Sequence, residues 1–254
     1  MIGIFDSGIG GLTVLKALKE KSPQTDVVYF GDIKNAPYGI KTQDDLKILT
    51  ALGVKKLLEN GATNILSACN SVSAFMVLEE IGLLSDVPFG IVEMINPTVS
   101  EFKNHSGEIL IFATPATIES GAYQENFRKH NVEIKTFPIA ELAGAIEFGA
   151  DENEIERIID EATTGVSQDN FDKVILCCTH YPFFLDKFEQ SFKKIGRKVE
   201  IFDPASVVAE TALSKFNNNV GDGELKFIIS QDSPNFRKMV EKHFANYNYT
   251  IEVI

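Results

Sequence analysis

The chain has no tryptophan and few cysteines, with only three among its 254 residues. So few cysteines in so long a chain exclude the disulfide framework of a small secreted protein, and we expect free thiols in a reducing cytoplasm. Basic residues are also scarce, because 24 lysines and arginines face 36 aspartates and glutamates, for a formal net charge of −12. This balance argues against nucleic acid or an anionic membrane as a partner. It leaves a small anionic substrate open.

Long apolar runs are absent too. No stretch approaches the roughly 18 consecutive apolar residues that a membrane span needs. The first apolar run covers only residues 2–5 and ends at Asp6, so we expect no signal peptide. The amino-acid composition, with 44% hydrophobic and 24% charged residues, is typical of a globular protein. The length allows one large domain or two small ones.

Short apolar segments alternate with polar stretches that have helical spacing. In one such stretch, residues 151–164, Ile155 and Ile158 recur on one helical face, and Asp151 with Glu154 resembles a capping box. The alternation predicts parallel β-sheets with helices on both faces. The segments expected to form strands are 2–5, 27–30, 65–68, 89–92, 109–112, 132–137, 174–178, 199–202 and 227–229.

Three of these apolar segments recur later in the chain at a nearly constant offset. The matched pairs are 2–7 with 109–114, 65–71 with 174–180, and 89–93 with 199–203. The offsets are 107, 109 and 110 residues. Any two parallel α/β sheets share short similarities of this kind, but three matches in the same order favour a structural repeat.

The repeat predicts an α/β fold of two facing, flavodoxin-like lobes. Their parallel sheets would be related by pseudo-twofold symmetry, with the active site in the cleft between the lobes. The chain after about residue 208 has no counterpart in the repeat, so we expect it to return and complete the first lobe. The first lobe then comprises residues 1–95 and 208–254, and the second comprises residues 96–207.

Polar residues that directly follow the predicted strands are the candidates for chemistry, because open parallel sheets bind ligands beyond the carboxyl ends of their strands. In the repeat, Cys69 and Cys178 occupy equivalent positions, so facing lobes would present one thiol from each wall of a shared cleft. The full set of candidates is Asp6, Ser7, Cys69, Asn70, Ser71, Thr114, Cys178, Thr179 and His180.

Two like acid–base groups on opposite walls suit the inversion of a stereocentre without a cofactor. One group removes the proton from the carbon, and the other returns a proton to the opposite face. A thiol has an ordinary pKa of about 8.5, which a helix N-terminus at a strand-to-helix turn lowers. The alternative for each cysteine is a buried, inert side chain. Cys177 should point away from the cleft, because successive strand residues point to opposite faces.

The glycine-rich segment 6–11 follows a predicted strand and opens a predicted helix. Glycines there let backbone N–H groups approach an anion, although a tight turn is the plainer interpretation. Thr13 stands in place of the third glycine of the dinucleotide fingerprint, while Asp32 at the end of the next strand keeps that hypothesis open. Asp6 is a candidate base or a modulator of a thiol pKa, against the alternative of an exposed loop aspartate.

His180 adds an imidazole beside the second candidate thiol. It could raise the thiolate fraction or donate to a substrate carboxylate, unless it is a solvated loop residue. A zinc site formed by Cys69, Cys178 and His180 would need a fourth ligand, and no Cys-x-x-Cys pair supports one. A Cys–His hydrolase is a further alternative, but it leaves one cysteine unexplained.

Five segments resemble the motifs of bacterial glutamate racemases, in the cofactor-independent aspartate/glutamate racemase group. They are 5–13, 37–39, 68–70, 113–118 and 178–182, in the family order. The pair of cysteine motifs is specific, whereas the glycine loop alone is not. The resemblance implies an isomerase that interconverts L- and D-glutamate for peptidoglycan synthesis, cell wall biogenesis and cell shape. It also implies a cytoplasmic enzyme with no cofactor and no metal.

The resemblance assigns roles to individual residues. Cys69 and Cys178 would be the two acid–base thiols, with Asp6 beside the first and His180 beside the second, and Glu147 would support His180. Substrate contacts are expected from Asp6, Ser7, Tyr38, Gly39, Asn70, Ser71, Thr114, Thr117, Thr179 and His180.

Several positions depart from the family pattern without removing a catalytic group. Ser71 replaces a threonine but keeps the hydroxyl, Cys177 replaces a glycine, and Met94 replaces a proline. Asn35 and Ala36 stand where an arginine tends to occur.

Three questions stay open at this point. L-aspartate remains the rival substrate, because pocket depth cannot be read from a sequence. A non-catalytic protein that binds an acidic amino acid in the same cleft is the alternative function. The oligomeric state is also unreadable, although family members are often dimers, so a homodimer is retained as one assembly.

Overall fold

Two parallel β-sheets organise the chain in this computed structural model, which describes residues 1–75, 89–216 and 221–254. The strands of the larger sheet are β1 (Ile2–Asp6), β2 (Val27–Gly31), β3 (Asn64–Ser67), β4 (Gly90–Val92), β9 (Leu225–Ile229) and β10 (Tyr249–Val253). Their order across the sheet is β10-β9-β2-β1-β3-β4, and every neighbouring pair is parallel. All five residues of the central strand β1 are buried, which explains its continuous apolar sequence.

The smaller sheet has four strands with the same arrangement. They are β5 (Glu108–Ala113), β6 (Glu133–Pro138), β7 (Lys173–Cys177) and β8 (Glu200–Phe202). Their order is β6-β5-β7-β8, again with parallel neighbours. This matches the order β2-β1-β3-β4 in the larger sheet strand for strand, and it is a flavodoxin-like order.

The equal strand orders confirm the predicted fold of two α/β lobes. The three sequence matches fall on the pairs β1 with β5, β3 with β7, and β4 with β8. Strands β9 and β10 extend the larger sheet beside β2, so the last part of the chain returns to the first lobe. The residue boundaries of the two lobes, 1–95 with 208–254 and 96–207, stay a prediction.

Helices and short 3₁₀ turns connect the strands. The 3₁₀ turns are Ile33–Asn35, Tyr38–Ile40 and Tyr181–Phe184. Within the described residues the helices are α1 (Leu12–Lys21), α2 (Gln43–Glu59), α3 (Asn70–Ala74), α4 (Ile95–Phe102), α5 (Pro115–Glu119), α6 (Ala122–Lys129), α7 (Leu142–Phe148), α8 (Glu152–Gly165), α9 (Leu185–Lys194), α10 (Ala205–Lys215) and α11 (Pro234–Phe244).

The helix predicted at residues 151–164 is helix α8. Asp151 is its N-cap residue, and its side chain accepts a hydrogen bond from the backbone N–H of Glu154 at 3.0 Å. Ile155, Ile158 and Ile159 are buried, as their spacing predicts. Local sequence therefore determines this helix and the face that it buries.

The two lobes share part of their buried core. One apolar cluster runs from Leu12 and Leu15 in the first lobe to Leu142 and Ile146 in the second. This shared surface holds the carboxyl ends of the two sheets together, where the candidate residues lie. Across the part of the chain that the structure describes, no helix is both long enough and apolar enough to cross a membrane.

Candidate active site

The two candidate thiols line one small cavity. Cys69 follows strand β3 and is the N-cap residue of helix α3, and Cys178 follows strand β7. Both are 5% exposed, and both are free thiols rather than partners in a disulfide. The residues that line the cavity are Ser7, Pro37, Tyr38, Gly39, Cys69, Asn70, Ser71, Thr114, Ala143, Cys178, Thr179 and His180.

Three of the predicted site residues lie behind the cavity lining rather than in it. They are Asp6, Thr117 and Glu147. The Thr179 hydroxyl is 3.5 Å from Asp6 Oδ1, Thr117 contacts two hydroxyls of the lining, and Glu147 contacts His180. The structure therefore brings all the predicted site residues together, with these three supporting the residues that reach the cavity.

His180 and Glu147 form a buried pair beside Cys178. His180 Nε2 is 2.7 Å from Glu147 Oε2, with side-chain exposures of 4% and 0%. The other ring nitrogen, Nδ1, is 3.8 Å from Cys178 Sγ. Burial opposes a charged imidazole, but the hydrogen bonds with Cys178 and Glu147 outweigh it and hold the pKa of His180 well above its ordinary value. A cationic imidazole here is a charge partner for a thiolate that forms on Cys178.

Glu147 is held in place from several directions. It lies at the end of helix α7, where Asn235 Nδ2 donates to the carbonyl oxygens of Ile146 at 3.0 Å and Glu147 at 2.8 Å. The backbone N–H of Ile9, in the glycine loop of the other lobe, donates to Glu147 Oε2 at 2.9 Å. The carboxylate thus accepts hydrogen bonds from both lobes, and its position depends on how the lobes meet.

A carboxyl group lies on the Cys69 side of the site. Asp6 is fully buried, and its Oδ2 accepts a hydrogen bond from the Gly8 N–H at 2.9 Å. Burial raises the pKa of Asp6, although the charge of His180 acts in the opposite direction. The two sides of the site therefore differ in charge, with a carboxyl near Cys69 and an imidazole near Cys178.

The pKa of Cys69 differs from what its place at a helix N-terminus predicts. Burial raises it most and the charge of Asp6 raises it further, while the backbone N–H groups of Val72 and Ser71 lower it. The effect of the helix is therefore present, but burial outweighs it. The raised pKa favours the protonated thiol of Cys69, which is the form that donates a proton.

Three hydroxyl groups form a cluster across the cleft. Ser71 Oγ, from helix α3, lies 3.2 Å from Thr114 Oγ1 and 3.4 Å from Thr117 Oγ1, both from the second lobe. The two threonine hydroxyls are 3.1 Å apart. Each can turn its proton toward an incoming acceptor. Ser71 thus offers the hydroxyl that the family's threonine would offer.

Tyr38 lines the cavity, but its hydroxyl is hydrogen-bonded to a residue outside the cavity lining. The hydroxyl donates to Asp32 Oδ2 at 2.6 Å, and the same carboxylate accepts hydrogen bonds from Asn35 at 3.0 Å and Ser230 at 2.6 Å. Asp32 therefore anchors the segment that carries Tyr38 and Gly39. This role disfavours the hypothesis that Asp32 binds the ribose of a dinucleotide.

The glycine loop lets side chains of the second lobe pack closely against the first lobe. A Cβ atom on Gly8 would lie 2.2 Å from Glu147 Oε2, and one on Gly10 would lie 2.5 Å from Thr179 Oγ1 and 2.6 Å from His180 Nδ1. The anion that this loop meets is the side chain of Glu147, through the N–H of Ile9. The glycines are thus required because the side chains of Glu147, Thr179 and His180 pack directly against the loop.

Gly10→Ala is expected to damage the site, since its Cβ would collide with the Thr179 hydroxyl and the His180 ring. We expect kcat/KM to fall by about 10²-fold through displacement of these groups, and stability to fall by about 1–3 kcal/mol through overpacking. Gly144→Ala is the control, because its Cβ would meet only Pro37 Cγ, at 3.8 Å. Thermal unfolding and initial rates check both variants, and a fully active Gly10→Ala would contradict this account of the loop.

Cys177 points away from the cavity, as strand alternation predicts. It packs with Ile175 and Tyr123 in a separate apolar cluster, whereas Leu176 and Cys178 belong to the larger core cluster. Burial raises the pKa of Cys177. In the described part of the chain, no group of three His, Cys, Asp or Glu side chains is arranged to hold a metal ion.

Sequence reasoning missed several residues that support the site. Tyr123 donates its hydroxyl to Asn70 Oδ1 at 2.7 Å, and Tyr29 donates its hydroxyl to the carbonyl oxygen of Gly8 at 2.7 Å. Neither lies directly after a strand, and Asn235, which caps helix α7, is far from every motif. A search for polar residues at strand ends cannot find them.

The chain shares its sequence pattern and fold with known proteins. A family model described as Asp/Glu/Hydantoin racemase matches residues 12–212. The chain is 33% identical to glutamate racemase 3 of Caldanaerobacter subterraneus subsp. tengcongensis, over 98% of this chain and 94% of that protein. It is 35% identical to the glutamate racemase of Aquifex aeolicus, over 94% of this chain and 92% of that protein.

A solved structure gives the same result at the level of the fold. Glutamate racemase from Francisella tularensis subsp. tularensis, crystallised in complex with D-glutamate, matches with a TM-score of 0.85 and 30% sequence identity. The match covers 100% of this chain and 96% of that chain. Sequence, fold and family model agree over most of the length, and the chain therefore belongs to the Asp/Glu/Hydantoin racemase family.

Proposed function

We propose that the chain is a glutamate racemase, an isomerase that interconverts L- and D-glutamate by proton transfer at Cα. The observation that carries the proposal is that Cys69 and Cys178, equivalent in the two lobes, line the same buried cavity. The names of the similar proteins support glutamate as the substrate. The D-glutamate formed would supply peptidoglycan synthesis, and thereby cell wall biogenesis and cell shape, in the cytoplasm.

The reaction needs one thiolate and one thiol at the start of each turnover. The thiolate takes the proton from Cα, and the thiol on the opposite wall gives its proton to the other face of the carbanion. The electron pair of the broken C–H bond stays on Cα and forms the new C–H bond. The substrate is therefore neither oxidised nor reduced. The two sulfur atoms exchange protonation states, and the reverse direction uses them in the opposite roles.

Charge on the carbanion is spread by hydrogen bonds to the substrate carboxylate. The donors available at the cavity are the Asn70 amide, the Ser71 and Thr114 hydroxyls, and the Ser7 and Thr179 side chains. The pKa of the imidazole of His180 is raised, which makes it a cation that offsets the negative charge of a thiolate on Cys178. This chemistry uses only groups of the chain, so we propose that no cofactor and no metal take part.

A polarimetric or circular-dichroism assay on L-glutamate, with no added pyridoxal phosphate or metal, tests the proposal. We expect the optical signal to decay to zero, since the equilibrium ratio of enantiomers is one. L-aspartate in parallel tests the rival substrate. A constant signal together with saturable binding of glutamate would instead indicate a non-catalytic binding protein. Activity that is lost on dialysis against a chelator and restored by metal would contradict cofactor independence.

We also propose that the chain forms a homodimer through helix α2. Ile48 and Leu52 are 63% and 59% exposed on the helix face opposite the sheet. Asp45 lies before them and Lys55 after them, with Lys55 72% exposed. A twofold axis near residue 50 would place Ile48 against Leu52 of the second copy and Asp45 against its Lys55, so this surface is complementary to itself.

Sedimentation velocity at micromolar concentration tests the dimer. Ile48→Lys is expected to give a monomer, because it would bury a charge in the centre of the interface. Phe148→Lys is the matched control, since Phe148 is 62% exposed but lies outside helix α2. A monomeric wild-type chain, or a dimer that survives Ile48→Lys, would contradict this interface.

A further inference from the structure

A buried hydrogen bond joins the two lobes beside the cavity. Tyr123, on helix α6 of the second lobe, donates its hydroxyl to Oδ1 of Asn70, on helix α3 of the first lobe, at 2.7 Å. The two residues are 1% and 4% exposed. We infer that Tyr123 is a positioning residue, which orients the Asn70 amide so that its N–H groups face the substrate. The inference deepens the proposed racemase function and rests on it.

The neighbours of an asparagine decide which end of its amide faces which way, because the two ends have nearly the same shape. Here the Tyr123 hydroxyl occupies the Oδ1 end. Asn70 Nδ2 is buried and has no hydrogen-bond partner among the described residues. Thr98, which also lies close to the Tyr123 hydroxyl, uses its own proton on the carbonyl oxygen of Met94 at 2.5 Å. It therefore does not supply a proton to Tyr123 in place of the amide.

The unpartnered Nδ2 group belongs to a residue that lines the cavity. A buried N–H group without an acceptor is unfavourable, so an anionic ligand that accepts from it gains from the contact. Asn70 directly follows Cys69, which places this donor on the same wall as one of the thiols. A donor fixed beside the reacting carbon stabilises the charge of the carbanion, provided that its orientation is set before the reaction.

The hydrogen bond also links this orientation to the contact between the lobes. Its donor comes from the second lobe and its acceptor from the first, so separation of the lobes would break it. The amide is then correctly aimed only when the cleft is closed. The Asn70 amide is therefore oriented toward the substrate only when the lobes are closed and both thiols line the cleft.

Tyr123→Phe tests the inference, because it removes only the hydroxyl. We expect kcat to fall by about 10-fold to 100-fold, in the range of a lost buried hydrogen bond, while KM changes by less than about threefold. In the Asn70→Ala variant, adding Tyr123→Phe should have no further effect on kcat, since Tyr123 acts through Asn70. If the losses multiply instead, Tyr123 has a general structural role and the inference is wrong.

Phe127→Leu is the matched control, because Phe127 stacks on the Tyr123 ring, with ring centroids 6.4 Å apart, but has no polar group and does not line the cavity. It should keep kcat and KM within about threefold of wild type, since it leaves the hydroxyl in place. Thermal unfolding of every variant shows whether the chain still folds.

A second measurement does not depend on racemisation. The side-chain NH₂ resonances of Asn70, identified by their loss in Asn70→Ala, are recorded by NMR in the substrate-free protein. We expect them to shift more in Tyr123→Phe, which removes the hydroxyl, than in Phe127→Leu, which leaves it in place. Unchanged Asn70 signals in Tyr123→Phe would overturn the inference, even if the wild-type chain racemises glutamate. If the signals shift but wild type is inactive, the proposed function fails and the positioning stands.

Discussion

Replacing either Cys69 or Cys178 with serine is expected to lower kcat for racemisation by about 10³-fold or more. Both thiols line the cavity and both are needed, because inversion requires a base on one face of Cα and an acid on the other. Serine fills the same position, but its hydroxyl is far too weak a base near neutral pH to replace a thiolate. Initial rates from L-glutamate and from D-glutamate, followed by circular dichroism, measure the loss in both directions.

Cys177→Ala is the control for this experiment, because Cys177 neighbours Cys178 but packs in the apolar cluster on the other face of strand β7. It should stay active. If Cys177→Ala were folded but inactive and Cys178→Ala were active, Cys177 rather than Cys178 would be the thiol that faces the substrate. Full activity of Cys69→Ser would refute the two-thiol mechanism itself.

We expect the second large effect from Asp6→Asn and His180→Asn. The two variants should affect opposite directions of racemisation more strongly. His180 Nδ1 lies 3.8 Å from Cys178 Sγ, while the charge of Asp6 raises the pKa of Cys69. We therefore expect each residue to tune the thiol of one wall. Asp6→Asn should slow the proton abstraction that starts from one enantiomer more than that from the other, and His180→Asn should show the reverse. Losses of about 10²–10⁴-fold are typical of such acid–base assistance.

Equilibrium limits where this asymmetry can be seen. The two enantiomers are equally stable, so kcat/KM must remain equal in both directions for every variant. The difference can show only in the separate kcat and KM values, or in isotope effects on Cα–H cleavage measured from each enantiomer. Equal isotope effects and equal kcat losses in both directions, for both variants, would exclude the assignment of one residue to each thiol.

Much of the architecture follows from local sequence. The apolar segments that align at offsets of 107 to 110 residues became equivalent strands of two sheets, because burial on both faces of a parallel sheet requires continuous apolar runs. All the polar candidates placed directly after those runs, except Asp6, reached the cavity lining, since the carboxyl ends of parallel strands meet at one edge. Asp151 and the isoleucines after it predicted helix α8 for equally local reasons.

The supporting contacts could not be read in the same way. Glu147 lies on helix α7 and reaches His180 from a different element, and Tyr123 reaches Asn70 from the opposite lobe. The family resemblance suggested Glu147, but no periodicity or spacing in the chain points to either contact. The glycine loop resembled an anion-binding turn, and its partner proved to be the carboxylate of Glu147.

The sequence by itself determined strands β1 to β9, the repeat, the two thiols and the polar residues at the strand ends, because each depends on neighbours along the chain, whereas it did not predict the edge strand β10. Only the tertiary structure decided which side chains face the cavity and which stand behind it. It also decided that burial raises the pKa of Cys69 above what the N-terminus of helix α3 would set. The physical reason is that desolvation and contacts between the lobes depend on how the two sheets meet in space, and spacing along the chain does not record that.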